Sequence, residues 1–249
     1  LPFILIAYDI HFGTPEPFRK KVYRYLPYFI LTALFIAIRA LVLQRVSQCG
    51  WWGGNPYYTF LTMLQVLVEY IKLLLAPVNL CAFYVTNIYT SIADTKVIFS
   101  LFILGAIFLS LPFVFRRQRG ISFGIWWFFI TLLPVSNIVP LRALMAERFL
   151  YLPAIGFCLI AAICIQKASV FFARKKEALT RFIAVVLAAL LFVAYSARTM
   201  ARNEDWKDSL TITNSILKIT PLNPWALASL GAAYSGQEQY EKAIKPLLK

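Results

Sequence analysis

Charge is scarce in this chain. Asp, Glu, Lys and Arg make up 14% of its 249 residues, against about 25% in soluble domains. Acid is scarcest: 11 Asp plus Glu face 25 Lys plus Arg, a formal net charge of +14. Histidine occurs once, as His11, and the four cysteines, Cys49, Cys81, Cys158 and Cys164, show no metal-ligand spacing. His11 stands beside Asp9 and Glu16; without a second His or a nearby Cys it reads as a residue of a solvated loop, not a ligand. No P-loop, Gly-rich dinucleotide turn or Ser/His/Asp set is present, so the enzyme classes built on them are excluded. No metal and no cofactor is expected.

What is present is apolar: 60% hydrophobic residues, 16% aromatic, with 21 Phe, 13 Tyr and 6 Trp. The mean hydropathy is +0.70. Such a chain cannot stay disordered, and it is neither a disulfide-stapled scaffold nor a coiled coil. It reads as a membrane protein, and of the enzyme classes only those working at a bilayer survive. A basic excess in a soluble protein would raise nucleic acid. Here Arg19, Lys20, Lys21 and Arg24, then Arg116, Arg117 and Arg119, then Lys167, Arg174, Lys175, Lys176 and Arg181 form three short clusters between apolar stretches, the positive-inside signature. No aromatic-interleaved basic groove accompanies them, so membrane lipid is an expected partner and nucleic acid is not.

A spanning helix needs about 20 mostly apolar residues. Residues 25–44, 96–115, 121–139, 149–166 and 182–197 meet or approach this. Residues 57–77 have the length but carry Gln65, Glu69 and Lys72, at a cost of about 2.5–3.5 kcal/mol for each ionised group at the bilayer centre. If 57–77 crosses, the first two basic clusters fall on opposite sides of the membrane. If it does not, all three share the cytoplasmic side, so 57–77 is expected to be an interfacial or re-entrant helix, with Glu69 and Lys72 spaced to pair. The alternative is a sixth crossing with the pair buried in the bundle. In the preferred map residues 45–95, 140–148 and everything after Arg198 lie on the outer face. Trp51, Trp52, Tyr57, Tyr58, Trp126 and Trp127 then fall near helix ends. Cys49 and Cys81 share that face, which admits a disulfide between them.

The expected domains are a polytopic transmembrane domain, 1–197, and the start of a soluble helical domain, 198–249. In the latter Leu227, Leu230, Gly231, Tyr234, Tyr240, Ala243 and Leu247 fall at the helix–turn–helix spacings of a tetratricopeptide repeat. Residues 206–220 read as the second helix of an earlier repeat, with Trp206 as its packing aromatic and Pro221 closing it. Repeats of this kind need neighbours to bury their apolar faces. The opening LPFILIAYDI reads as the tail of a helix, and the chain is expected to be an internal piece of a longer protein.

Residues 70–77 (YIKLLLAP), 133–137 (LPVSN), 146–153 (AERFLYLP) and 203–206 (NEDW), followed by the repeat, resemble the transmembrane, tetratricopeptide-repeat-containing protein O-mannosyltransferase-like family and its bacterial relatives. The resemblance covers residues 25–249. It implies an all-α membrane bundle of the C-type glycosyltransferase kind, moving a sugar from a polyprenyl-phosphate carrier to an extracytoplasmic protein acceptor. The location it implies is a bacterial inner membrane or, in a eukaryote, the endoplasmic reticulum, with the repeats recruiting the acceptor or a partner on the extracytoplasmic side. The family's acidic base lies in a first outer loop that precedes this chain, so none of these residues is assigned as catalytic base, and on their own they are not expected to catalyse transfer.

Within that implied function, Arg148, Glu147, Arg142 and Asn137 cluster where an outer loop enters a helix, and Arg suits a phosphate because of its two-pronged fork. The competing reading is an ion pair or cap that fixes the loop. Lys72 and Glu69 are weaker candidates for the same ligand, since a pair three apart on an interfacial helix is ordinary. Arg39, inside a span, is a site candidate by its position or a side chain that snorkels to the boundary. The rival function is a non-catalytic membrane anchor or accessory subunit whose repeats dock a complex.

Overall fold

The computed structural model describes residues 2–13, 16–43, 50–172, 177–236 and 238–247, and every regular element in them is a helix. In order these are α1 (Pro2–Phe12), α2 (Phe18–Leu43), α3 (Pro56–Leu75), α4 (Thr95–Arg117), α5 (Arg119–Leu132), α6 (Tyr151–Phe172), α7 (Glu177–Asp205), α8 (Ser209–Ile219), α9 (Pro224–Gly236) and α10 (Tyr240–Leu247). Five stretches are long and apolar enough to cross a bilayer: Arg19–Val42, Pro56–Leu75, Thr95–Arg117, Glu147–Ala168 and Val185–Asp205. The all-α fold class read from the sequence is the one observed, and the protein is an integral membrane protein. None of the Arg19–Val42 window is buried by protein, and side chains such as Phe35 and Leu41 are exposed. Lipid is the medium that such a surface calls for.

The chain divides into two compact units. The first holds Leu1–Ile71, Asn87–Arg142 and Phe149–Cys164. Here α5 is central, packing against α1 and α4. It also meets α6 through glycines. A Cβ on Gly156 would stand 2.5 Å from the Gly124 carbonyl oxygen, and one on Gly124 would stand 2.9 Å from that of Gly156. Small residues permit this backbone approach, the usual device of membrane helix contacts. Trp127 adds a bond from Nε1 to the Leu152 carbonyl at 2.8 Å. The stretch 121–139 is α-helical only to Leu132; a 3-10 turn, Leu133–Val135, carries Pro134, and Asn137 with φ 55° then redirects the chain. Within 57–77, α3 is one continuous helix with 39% of its window buried.

His11 corrects an expectation. It is not in a solvated loop but buried at the end of α1. Nδ1 donates to the Ala7 carbonyl at 2.7 Å, Nε2 meets the Ser122 hydroxyl at 2.9 Å, and Phe115 and Phe123 lie edge-on to the ring. A hydroxyl from α5, far off in sequence, satisfies the second nitrogen and makes burial tolerable.

The second unit holds Lys72–Thr86, Ala143–Arg148 and Ile165–Lys249. Its core gathers Cys81, Ala82, Ile216 and Ala226, with Phe83, Tyr84, Ile212 and Leu217 around them. The Tyr84 amide donates to the Met145 carbonyl at 3.2 Å in an isolated antiparallel bridge. α7 continues unbroken through residue 197 to Asp205. α8 starts at Ser209, later than the expected 206, because Asp208 and Thr211 form a reciprocal capping box. Trp206 is therefore in the turn before α8 and not in that helix. Asn223 caps α9, its Oδ1 accepting from the Ala226 amide at 3.1 Å, and Pro224 occupies the first helical position. α9 and α10 form the helix pair that the spacing predicts; the side chains of Ala243 and Leu247 lie outside the described residues.

Candidate functional site

Along α7, Tyr195, Arg198 and Arg202 follow at spacings of three and four, which sets them on one helix face. The Tyr195 hydroxyl donates to the Leu74 carbonyl at 2.7 Å, and Arg198 Nε to the Pro77 carbonyl at 3.0 Å. Leu74 lies in the last turn of α3, whose carbonyls lack intrahelical donors. Arg202 reaches the loop Ala143–Arg148: Nη2 donates to Glu147 Oε1 at 2.8 Å and Nε to Oε2 at 3.1 Å. Its Nη1 donates to Asp205 Oδ2 at 2.6 Å and to Ser215 Oγ at 2.7 Å. Trp206 Nε1 completes the set, donating to Glu147 Oε1 at 2.9 Å.

The side chains of Arg202 and Glu147 are 9% and 13% exposed, so this is not a solvated surface pair. Charges so far from water persist only when their hydrogen-bonding capacity is met, as it is here. The network ties α7, α8 and the 143–148 loop together. Below it, the Asn223 amide donates to the Phe83 carbonyl at 3.2 Å, and the Phe83 and Trp225 rings stack at 5.4 Å. Burial pushes the Cys81 thiol and the Tyr84 phenol above their ordinary values, while the Thr211 backbone amide holds the Asp208 carboxyl below the usual carboxylate range.

Glu147 opens a 3-10 turn, Glu147–Leu150, and Arg148 is exposed on it. In the first unit, Asn137 is buried; its Oδ1 accepts from the Leu141 amide at 3.0 Å and its Nδ2 faces Met63 Sδ at 3.5 Å. Its amide holds the loop. Arg142 is exposed. Glu69 is half-buried on α3 and accepts from Gln65 Nε2 at 3.0 Å; Lys72 is exposed one turn further on. Arg39 is exposed on α2. Cys81 is a buried free thiol, and Cys49 lies outside the described residues, as do Arg174, Lys175 and Lys176.

No family model and no solved structure matches the chain. Curated proteins do match it. The chain is 39% identical over 116 residues to protein O-mannosyl-transferase Tmtc2 of Drosophila melanogaster, covering 46% of this chain and 12% of that protein. It is 28% identical over 203 residues to protein O-mannosyl-transferase F38B6.6 of Caenorhabditis elegans, covering 77% and 28%. With protein O-mannosyl-transferase TMTC3 of Mus musculus the identity is 27% over 232 residues, covering 88% and 25%. The chain is homologous to the TMTC protein O-mannosyl-transferases. It spans less than a third of the length of these relatives.

In this TMTC homologue the residue that organises the loop, Arg202, is one that the sequence reading passes over. Arg202 and Trp206 lie 55 and 59 positions from Glu147. No local periodicity links them. The one available signal is the 203–206 stretch that supports the TMTC resemblance, because Asp205 and Trp206 both belong to the network.

Proposed function

We propose that this TMTC homologue is part of a membrane glycosyltransferase that passes a sugar from a polyprenyl-phosphate carrier to a protein acceptor outside the cytoplasm. The reaction class is supported by the relatives, which are named protein O-mannosyl-transferases. For the site the supporting observation is the tethered loop: Glu147 is held by Arg202 and Trp206, which fixes the backbone from which exposed Arg148 projects. Glu147 then serves as anchor and Arg148 as the phosphate-gripping group, with two charge-assisted hydrogen bonds to the carrier.

The same reading puts residues 45–95 and the helical tail, as tetratricopeptide repeats, on the extracytoplasmic side. Two features support it. One is the placing of the three basic clusters between apolar stretches, which the positive-inside bias favours on one cytoplasmic side with α3 not crossing. The other is the packing of Phe83 against Trp225 and Asn223 within one unit.

Arg148 tests the site in the full-length protein. Arg148→Lys keeps the charge but loses the fork, so affinity for a polyprenyl-phosphate sugar is expected to fall about tenfold, the loss of one strong hydrogen bond. Arg148→Ala should bind more weakly still. Both variants should melt within a few degrees of the parent. Unchanged carrier affinity in stable Arg148→Ala protein would end the assignment.

A further inference from the structure

We infer that the cleft between α1 and α2 is a binding site for one anionic phospholipid, its acyl chain between the helices and its phosphate against the start of α2. The two helices run antiparallel. Phe3 meets Phe29 at one end, with ring centroids 5.9 Å apart, and Asp9 meets Lys21, Arg24 and Tyr25 at the other. Between these contacts lies a cleft of about 400 Å³ walled by Ile6, Ile10, Val22, Leu26 and Phe29, with the paired Asp9, Lys21 and Tyr25 lining its other end. Val22, Leu26 and Phe29 belong to the window Arg19–Val42, long enough to cross the bilayer, so hydrocarbon is what suits the cleft.

Charge identifies the headgroup. Four cations, Arg19, Lys20, Lys21 and Arg24, face two carboxylates, Asp9 and Glu16. Asp9 is shared by Lys21 at 3.7 Å and Arg24 at 3.4 Å, and Arg24 also binds Glu16. Arg19 and Lys20 are exposed, and neither pairs with a carboxylate among the described residues. Two positive charges are left over in the turn of α2 just before Val22, at the charged end of an apolar cleft. A zwitterionic lipid answers the cleft but not the charge; an anionic one answers both. Basic pockets between membrane helices on the cytoplasmic side recognise anionic headgroups in this way. In the topology proposed above, the start of α2 lies at the cytoplasmic leaflet, away from the side on which the sugar carrier is used.

The test is native mass spectrometry of the full-length protein in micelles doped with phosphatidylglycerol or phosphatidylcholine. The wild type is expected to retain one phosphatidylglycerol roughly tenfold to thirtyfold more tightly than phosphatidylcholine, as two charges at about 1 kcal/mol each imply. Arg19→Gln with Lys20→Gln should bring the two lipids to equal affinity with the melting temperature unchanged. Leu26→Trp, filling the cleft, should abolish retention of phosphatidylglycerol; Val22→Trp, on the same wall, is the second filling variant should Leu26→Trp fail to fold. Equal retention of both lipids by the wild type overturns the proposal. So does phosphatidylglycerol retained undiminished in a folded filling variant, or its displacement by equimolar polyprenyl phosphate. Arg148 lies outside this cleft, so loss of carrier affinity in its variants and loss of phospholipid retention here are separate outcomes.

Discussion

Removing Arg202 would leave the Glu147 carboxylate with the Trp206 N–H as its one remaining donor in the network, in a site where it is 13% exposed. Breaking one side of a buried pair costs roughly 3–5 kcal/mol. Because Trp206 remains, Arg202→Leu is expected to cost about 3 kcal/mol, at the lower end. Glu147→Leu strands Arg202 less, since Asp205 and Ser215 still accept from it. The double variant should therefore be destabilised by clearly less than the sum of the singles, a coupling of at least ~1 kcal/mol in a melting-temperature cycle. Additive losses would show that the pair does not act as a unit. At this scale the sequence reveals half of the site. Glu147 and Arg148 stand out because acid is rare and they open a helix after a loop. Arg202 has no such mark: a basic residue in the last turn of a helix ordinarily faces the helix dipole and water. Only the approach of α7 to the 143–148 loop makes it a buried partner. Asn137 is visible as a polar residue near the same loop, but its burial and left-handed φ are products of tertiary packing.

For whole elements, length and apolar content carry most of the information. α2, α4, α6 and α7 lie where runs of about 20 apolar residues predict them. The errors come where local chemistry ends or starts a helix: the 3-10 turn at Pro134 shortens α5, and the Asp208 and Thr211 box delays α8. Close helix contacts are not legible at all, because a glycine in an apolar run looks the same whether or not another backbone faces it. Gly105 in α4 has nothing within 4 Å of a built Cβ, whereas Gly156 in α6 would drive a Cβ to 2.5 Å from the Gly124 carbonyl oxygen. Gly156→Ala must push α5 and α6 apart, with an expected loss of about 1–3 kcal/mol. Gly105→Ala should be neutral or raise stability by up to about 1 kcal/mol through helix propensity. Equal melting temperatures for the two variants would mean that the α5–α6 contact does not depend on the missing Cβ.

For the whole molecule, charge and packing bear separately on which loops share a side. The basic clusters at 19–24 and 116–119 belong on one side if α3 does not cross, and the positive-inside bias favours that arrangement. Packing bears on the tail: Asn223 and Trp225 contact Phe83 within one compact unit, and a segment cannot pack on another across a bilayer. Residues 79–84 and the helical tail are then expected on the outer face, and Gln118 between α4 and α5 on the inner one. Single-cysteine probes in intact cells, with the native cysteines replaced, report this directly. Val78 and Leu222 are both exposed, so Val78→Cys and Leu222→Cys should react with a membrane-impermeant maleimide before lysis and Gln118→Cys only after it. Tyr57→Cys, at the other end of α3, decides the remaining choice: labelling together with Val78→Cys makes α3 interfacial or re-entrant, and labelling only after lysis makes it a span. Reaction of Gln118→Cys but not Leu222→Cys in intact cells would invert the map, and with it the side on which Arg148 could meet a lipid-linked sugar.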